Sequence, residues 1–220
     1  SQIIKEEKNK NKALIFLEKK FQEIDNPSTK IIFDMANFYK NYKEYEKAII
    51  LYSKLLKTID KNSNAYADIL YRRGGSFERL KKFEKSENDL LLSLKFKPDD
   101  PYVMNYLAYS WLERNYKINE ALLMLKRAYE QKKNDPYIID SIGWAYYLKQ
   151  DYEKAEKYLI QAVELMPDDP IVNDHYGDIL WKLNRKIQAR YFWKNVLSFD
   201  DTEDKMKDNI NLKLIEGLKK

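Results

Sequence analysis

The chain has 220 residues, enough for one or two ordinary domains, and 44% of them are hydrophobic, as in folded proteins. With 5 glycines, 6 prolines and no cysteine, the composition favours helices with short connections and excludes disulfide and thiol chemistry. No apolar run approaches the roughly 20 residues that span a bilayer. The formal net charge of +5 is unevenly spread, because residues 101–180 are acidic and both flanking parts are basic.

The first 28 residues carry a helical pattern with apolar side chains around an unusually wide arc. The apolar positions are Leu14, Ile15, Phe16, Leu17 and Phe21. Residues 1–28 are therefore predicted to form the second helix of a truncated repeat. We expect either that repeats precede Ser1 in the natural protein or that the surface around Phe16 pairs with another copy of the chain.

Five copies of a repeat follow. Glycine recurs at a spacing of 34 residues at Gly143 and Gly177, and alanine recurs at the same spacing at Ala155 and Ala189. A fixed period of this length is the signature of a solenoid built from helical hairpins. The predicted repeats are 29–66, 67–100, 101–135, 136–169 and 170–202.

Each copy contains two amphipathic segments at helical spacing. Asp100, Asp135 and Asp169 each precede a proline, which predicts an N-cap followed by proline at the first helical position. Small residues such as Gly143 and Ala155 are expected to let the two helix backbones approach closely. Residues 203–220 are predicted to form a final capping helix, with one apolar stripe against the last repeat. The stripe consists of Met206, Ile210, Leu214, Ile215 and Leu218.

The pattern over about residues 29–201 resembles the tetratricopeptide repeat (TPR) family, although Ala36 and Ala108 replace the glycine in two copies. The resemblance implies an all-α, right-handed α-α superhelix of about five repeats, in a single solenoid domain over 1–220. The last two copies are similar to the C-terminal region of long multi-repeat adaptors of Gram-negative bacteria, some of them lipid-anchored in the periplasm. This similarity implies a bacterial adaptor and favours a periplasmic or outer-membrane-tethered location over the cytoplasm, with the compartment left open.

In a stack of helical pairs, the first helix of each pair lines the concave side. Sorting by position relative to the small residue predicts core aromatics at Tyr39, Phe77, Trp111 and Tyr146, together with Trp193 on a second helix. The same sorting predicts a concave groove that binds a partner. Its residues are Tyr71, Tyr102, Asn105, Tyr109, Tyr137, Asp140, Trp144, Tyr147, Asp174, Asp178 and Trp181. Partly solvated aromatics beside Asp and Asn are typical of binding hot spots.

Other chemistry has little support in the sequence. The single histidine, His175, has neither a cysteine nor a second histidine with which to form a triad or a metal site, so neither cofactor nor metal is predicted. The basic residues lie mostly on second helices, which argues against nucleic acid. Some tetratricopeptide domains bind the acidic tails of chaperones with five basic and amide residues. Only two of the five have counterparts in this chain, at Asn37 and Arg72.

We therefore expect a non-catalytic scaffold or adaptor that binds a peptide segment or helix of a partner protein in its groove. Two alternatives remain open at this point. The chain could be the regulatory or targeting arm of a larger enzyme, or a homo-oligomeric structural scaffold that uses the surface around Phe16.

Overall fold

A computed structural model describes residues 2–200 and 202–218, with side chains from residue 12 onward. In this part the chain forms twelve α-helices and no strand. The helix before the pairs is α1 (Gln2–Gln22), and the helix after them is α12 (Asp204–Glu216). The five pairs are α2 (Thr29–Asn41) and α3 (Tyr45–Leu55), α4 (Asn64–Arg79) and α5 (Phe83–Phe96), α6 (Pro101–Leu112) and α7 (Ile118–Gln131), α8 (Pro136–Leu148) and α9 (Tyr152–Leu165), and α10 (Pro170–Lys182) and α11 (Lys186–Ser198). The predicted all-α fold of five helix-turn-helix repeats is confirmed.

The chain divides into two compact units, Ser1–Pro98 and Asp99–Lys220. In the first unit, α3 packs between α2 and α4, and α5 packs on α4. In the second unit, the pairs α6/α7, α8/α9 and α10/α11 stack in chain order, and α12 packs on α11. The expectation of a single domain over 1–220 stays a prediction. Residues 1, 201, 219 and 220, which belong to the predicted segments, lie outside the described residues.

The predicted helix starts are confirmed in the second unit. Asp100, Asp135 and Asp169 each accept hydrogen bonds from the two backbone N–H groups at the start of α6, α8 and α10, and a proline occupies the first turn. Ser28 and Ser63 cap α2 and α4 in the first unit. Because Ser63 supplies the cap, α4 begins at Asn64, and the predicted boundary between residues 66 and 67 falls inside this helix.

The turn inside each pair depends on a residue with left-handed backbone. Lys43, Lys81, Gln150 and Asn184 have φ between 58° and 63°. The third pair carries one extra residue and uses two such positions, Asn115 and Lys117, with φ of 51° and 46°. A side chain in this conformation costs roughly 1–2 kcal/mol, so the packing of the two helices must hold these turns.

The glycines of the last two pairs do allow close approach, but their partners differ from those expected. A Cβ atom at Gly143 would lie 2.6 Å from Cγ of Leu159, one turn after Ala155. A Cβ at Gly177 would lie 2.5 Å from two indole atoms of Trp193. Each glycine therefore accommodates a large buried side chain of the second helix.

Four of the five predicted core aromatics are buried. Tyr39, Trp111, Tyr146 and Trp193 are at most 9% exposed. Phe77, by contrast, is only half-buried, and the cations of Arg73 and Lys85 lie 5.7 and 5.9 Å from its ring centre. No described helix is long and apolar enough to cross a bilayer.

On α12, the predicted apolar stripe is correct in part. Ile210 is fully buried, and Met206, Leu214 and Leu218 are half-buried. Ile215 is 78% exposed, because a residue five positions after Ile210 on a helix of 3.6 residues per turn lies well off its face.

Candidate functional site

Three first helices of the second unit, α6, α8 and α10, lie side by side. One surface of these helices, here called the first-helix face, carries ten of the eleven predicted binding residues. They are Tyr102, Asn105, Tyr109, Tyr137, Asp140, Trp144, Tyr147, Asp174, Asp178 and Trp181. The small residues Ala108, Gly143 and Gly177 fix the register, so equivalent positions can be compared from helix to helix. Three residues before these small residues stand, in the same order, Asn105, Asp140 and Asp174.

Asp140 is an internal residue and not an open contact for a ligand. Its side chain is buried, and its two carboxylate oxygens lie 2.9 and 3.0 Å from Nδ1 of His175 on the neighbouring α10. Burial alone lowers the pKa of His175, but the negative charge of Asp140 and its hydrogen bond raise the pKa by more, to above its usual value. Because a carboxylate only accepts hydrogen bonds, the imidazole donates Nδ1–H to Asp140, so this pair joins α8 to α10.

Trp144 belongs to a stack of aromatic rings beside that pair. Its indole centre lies 4.1 Å from the imidazole of His175, with 10° between the planes, and 4.6 Å from the ring of Tyr147, with 7° between them. The indole Nε1 is buried and has no hydrogen-bond acceptor among the described residues. A buried donor without an acceptor costs about 1–3 kcal/mol. The stack therefore fixes the ring while leaving one hydrogen bond unmade.

Asp174 and Asp178 bind the C-terminal helix of the same chain. Nζ of Lys213 on α12 donates to Oδ1 of Asp174 at 2.6 Å and to Oδ1 of Asp178 at 2.7 Å, and Nε1 of Trp193 donates to Asp178 at 3.0 Å. Burial and the charge of Asp174 raise the pKa of Asp178 to about 6, although Lys213 acts in the opposite direction. The expectation that these carboxylates line a groove for a partner is corrected, since α12 already occupies them.

Trp181 is also covered by the C-terminal segment. Gly217, with φ of 74°, lies so close to the indole that a Cβ atom there would overlap Cζ2 of the ring. Trp193 packs against the same indole with the ring centres 5.3 Å apart, and the cations of Lys186 and Arg190 lie 5.3 and 4.8 Å from its centre. The indole is thus part of the packing between α10, α11 and the segment after α12 but is only half-buried, so its place in a groove stays a prediction.

The remaining predicted residues of the second unit lie on α6 and α8 and keep access to solvent. Tyr102 and Tyr137 are 49% and 54% exposed, and Asn105, Tyr109, Trp144 and Tyr147 are half-buried. The structure thus brings these six residues together on two neighbouring helices. The carboxylates of Asp174 and Asp178 on α10 lie near this group, because their charges, after burial as the main cause, contribute to the raised pKa of Tyr147.

A cavity of about 110 Å³ opens between these helices and the start of α10. Its walls include Asn105, Tyr106 and Tyr109 of α6 and Tyr137 and Ser141 of α8. Oδ1 of Asn105 is buried and has no hydrogen-bond donor among the described residues. Asn105, one of the wall residues, therefore carries an unsatisfied acceptor next to the aromatic side chains of the cavity.

Tyr71, the eleventh predicted residue, is half-buried on α4 of the first unit. Its neighbour in sequence, Arg72, reaches α2, where its Nη1 donates to Oδ1 of Asn37 at 3.2 Å. The guanidinium of Arg72 also lies 5.3 Å from the ring centre of Phe33. In the first unit, then, an arginine fills the space between two first helices.

The first-helix face offers binding groups and little for catalysis. His175, which has the imidazole that could act as a base, is fixed by Asp140 and stacked on Trp144. In the described part, no three His, Asp or Glu side chains converge as metal ligands would.

The sequence reasoning missed Tyr106, Ser141 and Lys213. A signal for Lys213 was present, because Asp140 and His175 stand 35 residues apart, and so do Asp178 and Lys213. This spacing, one longer than the repeat, joins one first helix to the next. Tyr106 and Ser141 gave no comparable signal, because only the packing of α6 beside α8 reveals the cavity.

Comparison with known proteins identifies the repeat. The family model named Tetratricopeptide repeat matches residues 136–169, which contain α8 and α9. TPR repeat-containing protein PA4667 of Pseudomonas aeruginosa is 29% identical over 143 residues, which are 65% of this chain and 23% of that protein. Anaphase-promoting complex subunit 3 of Schizosaccharomyces pombe is 24% identical over 109 residues, which are 50% of this chain and 15% of that protein. The chain thus spans less than a quarter of the length of either relative.

The fold is also similar to solved structures. TTC0263, a thermophilic TPR protein of Thermus thermophilus, matches 86% of this chain and 100% of its own with a TM-score of 0.70 and 17% sequence identity. At this level of identity the similarity concerns the fold alone.

Proposed function

Because the chain is a tetratricopeptide repeat protein, we propose that it is a non-catalytic protein-interaction scaffold that binds a peptide segment or helix of a partner protein on α6 and α8. The observation that carries this proposal is the row of partly exposed side chains on these helices. The row consists of Tyr102, Asn105, Tyr109, Tyr137, Trp144 and Tyr147. Tyrosine and tryptophan supply large contact areas with few rotatable bonds and are enriched at interface hot spots.

Two unsatisfied polar atoms support a polar partner. Nε1 of Trp144 can donate a hydrogen bond and Oδ1 of Asn105 can accept one, and both are buried without a partner among the described residues. Unsatisfied buried polar groups are few in native proteins, and each calls for an explanation. A peptide backbone carries one donor and one acceptor at each residue, so a bound segment supplies both missing partners.

The relatives are compatible with this role. One curated relative is named as a subunit of the anaphase-promoting complex, so that protein acts within an assembly. Since this chain spans only 15% of that protein, the role of the whole relative is carried over solely as part of the proposal. An adaptor in the bacterial periplasm or tethered to the outer membrane remains the favoured setting.

The alternative of a homo-oligomeric scaffold has an observation of its own. Ile15, Phe16 and Leu17 on α1 are 66%, 59% and 38% exposed, and Leu17 also lines an apolar cavity of about 340 Å³ between α1 and α2. The other alternative, a regulatory or targeting arm of a larger enzyme, involves the same peptide-binding face and differs only in what is attached to it.

The proposal is tested by selecting peptides from a random displayed library on the immobilised chain. The dissociation constant of the best peptide is then measured for the wild type, Tyr102→Ser and Tyr147→Ser. We expect each groove variant to weaken binding at least tenfold, about 1.4 kcal/mol, because each removes an aromatic contact. Tyr191→Ser is the matched control, since Tyr191 is 62% exposed on the second helix α11.

Thermal unfolding of all the variants is measured in parallel, so that loss of folding is recognised. Failure to select any peptide with saturable binding would contradict the proposal. Equal loss of binding in the Tyr191 control would place the binding surface on the second helices and would also contradict it.

A further inference from the structure

Equivalent positions on the first-helix face carry a hydrogen-bond acceptor in three successive helices. Asp174 of α10 accepts a hydrogen bond from the ammonium of Lys213 on α12, at 2.6 Å. Asp140 of α8 accepts one from the imidazole of His175 on α10, at 2.9 Å. Asn105 of α6 has the same place, yet its Oδ1 has no donor among the described residues. Two acceptors of the series are thus satisfied by a basic side chain, and the third is not.

The reason lies in the residue that the next helix presents. His175 stands two residues before Gly177, and the equivalent residue on α8, two before Gly143, is Ser141. Serine is short, and its Oγ donates to the carbonyl oxygen of Tyr137 one turn earlier, at 2.8 Å. Ser141 therefore neither reaches Asn105 nor fills the volume that an imidazole would take. The cavity of about 110 Å³ lies at this place.

The size of the cavity suits a side chain better than a single water molecule. One water molecule needs roughly 10–15 Å³ of cavity volume, so the volume of this cavity is several times larger than one water requires. Its walls include the rings of Tyr106, Tyr109 and Tyr137. The faces of aromatic rings attract cations.

The surroundings of the cavity are acidic. Burial raises the pKa of the Tyr109 hydroxyl well above its usual value, and Glu113 and Asp140 add to this rise. Burial, followed by the charge of Asp169, also raises the pKa of Tyr137. Asp140 and Asp169 belong to the walls, and no lysine or arginine belongs to them among the described residues. A cation entering here therefore gains from several negative neighbours, with His175 offsetting part of the charge of Asp140.

We propose that this cavity binds the guanidinium group of an arginine side chain from the partner segment on α6 and α8. The inference rests on the proposed function and adds the chemistry of one partner residue. A guanidinium has five N–H donors and no acceptor, which suits a cavity whose walls include the unsatisfied Asn105 and the carboxylate of Asp169. The first unit offers a related contact, in which Arg72 of α4 donates to Oδ1 of Asn37 and lies over the ring of Phe33, although Asn37 stands one residue after Ala36 and not three before it.

The test is an NMR titration of the isotope-labelled full chain with two blocked pentapeptides. One has arginine between two pairs of glycines, and the other has citrulline, which has nearly the same shape without the charge, in place of the arginine. We expect the arginine peptide to shift the side-chain amide signals of Asn105 and to bind at least tenfold more tightly than the citrulline peptide. Equal affinities would overturn the inference, and so would shifts confined to residues outside the cavity.

Two variants make the test specific. Ser141→Arg places an arginine of the chain itself next to Asn105, and it should abolish binding of the arginine peptide. Ser198→Arg adds the same charge at an exposed position of α11 and should leave binding unchanged. Asn105→Ala, which adds no bulk, should weaken the arginine peptide about tenfold, so the inference can be tested even if Ser141→Arg fails to fold.

The two proposals fail in different ways. Library-selected peptides could bind α6 and α8, contain no arginine and bind the Asn105→Ala variant as tightly as the wild type. In that case the inference about the cavity is wrong and the scaffold function stands. If no selected peptide binds at all, the scaffold function itself is wrong.

Discussion

Single residues decide how closely the two helices of each pair approach. Three of the helical glycines, Gly74, Gly143 and Gly177, differ in what a methyl group would meet. At Gly74 the nearest atom is Cγ of Leu90 at 3.0 Å, at Gly143 it is Cγ of Leu159 at 2.6 Å, and at Gly177 two atoms of the Trp193 indole lie at 2.5 Å. A leucine can adjust by rotation about its side-chain bonds, whereas a fully buried indole cannot move without displacing its neighbours.

Replacement of Gly177 by alanine is predicted to destabilise the protein. Overpacking of a well-packed site costs typically about 1–3 kcal/mol, while alanine gains about 1 kcal/mol over glycine in helix propensity. The clash wins at Gly177, and the two effects nearly cancel for Gly74→Ala, which serves as the control. Chemical denaturation of both variants should show a clear loss of stability for Gly177→Ala alone. Equal midpoints for the two would contradict the packing of Trp193 on Gly177.

At the scale of a helix, α12 depends on one buried cation. The side chain of Lys213 is 11% exposed, and it separates two buried carboxylates, those of Asp174 and Asp178. The two carboxylates raise the pKa of Lys213 by more than its burial lowers it, so this lysine stays charged. The attachment of α12 to α10 is therefore ionic at its centre, with Gly217 against Trp181 at its end.

Lys213→Met is predicted to cost about 3–5 kcal/mol, the range for removing one partner of a buried ion pair. The loss should be smaller at pH 5 than at pH 8. The folded-state pKa of Asp178, about 6, lies above the unfolded value, so its contribution to stability is present at low pH and is lost as the pH rises through 6. Hydrogen exchange of residues 204–216 measures the detachment of α12.

Lys205→Met is the matched control, because Lys205 is exposed on the same helix. Equal protection of α12 in both variants would show that apolar packing around Ile210 alone holds this helix.

For the whole molecule, the apolar surface of α1 is the feature that bears on assembly. Leu14 and Phe21 pack on the core formed by α2 and α3, and Glu18 binds Lys47 of α3 at 2.7 Å. Phe16 and its neighbour Ile15 remain more than half exposed. Adjacent exposed apolar side chains of this size mark interaction surfaces in soluble proteins.

The homo-oligomeric alternative predicts that the chain self-associates through this surface. Phe16→Lys should raise the monomer fraction in sedimentation velocity experiments over a range of concentrations, because it places a charge in the contact. Ile50→Lys is the control, since Ile50 is 66% exposed on α3. A wild-type chain that is monomeric at every concentration would remove the support for the homo-oligomeric alternative.

Much of the fold follows from local features that the sequence displays. The spacing of 34 residues, the Asp-Pro starts at Asp135 and Asp169, and the small residues Gly143 and Gly177 together predicted the helical pairs. The left-handed turn residues were not predicted, because the turns have lysine or asparagine at positions such as Lys43 and Asn184, where a glycine would have indicated positive φ. The start of α4 was misplaced because Ser63, in the insertion, provides the cap.

The candidate site was predicted less completely, for a physical reason. The position of Asp140, Asp174 and Trp181 along their helices predicted which helix face carries these side chains. It could not predict which residues of other helices contact them. His175 of α10 pairs with Asp140, Lys213 of α12 pairs with Asp174, and Gly217 packs against the half-buried indole of Trp181.

By itself, the sequence determined which segments form helices, where four of the five pairs begin and which face of each first helix is available for contacts, since these depend on spacing along the chain. Only the tertiary structure decided which of those contacts the chain makes with itself. Lys213 binds Asp174 and His175 binds Asp140, while Ser141 leaves Asn105 without a donor. Hydrogen bonding and burial depend on the side chain that packing brings opposite, and that neighbour comes from about 35 residues away.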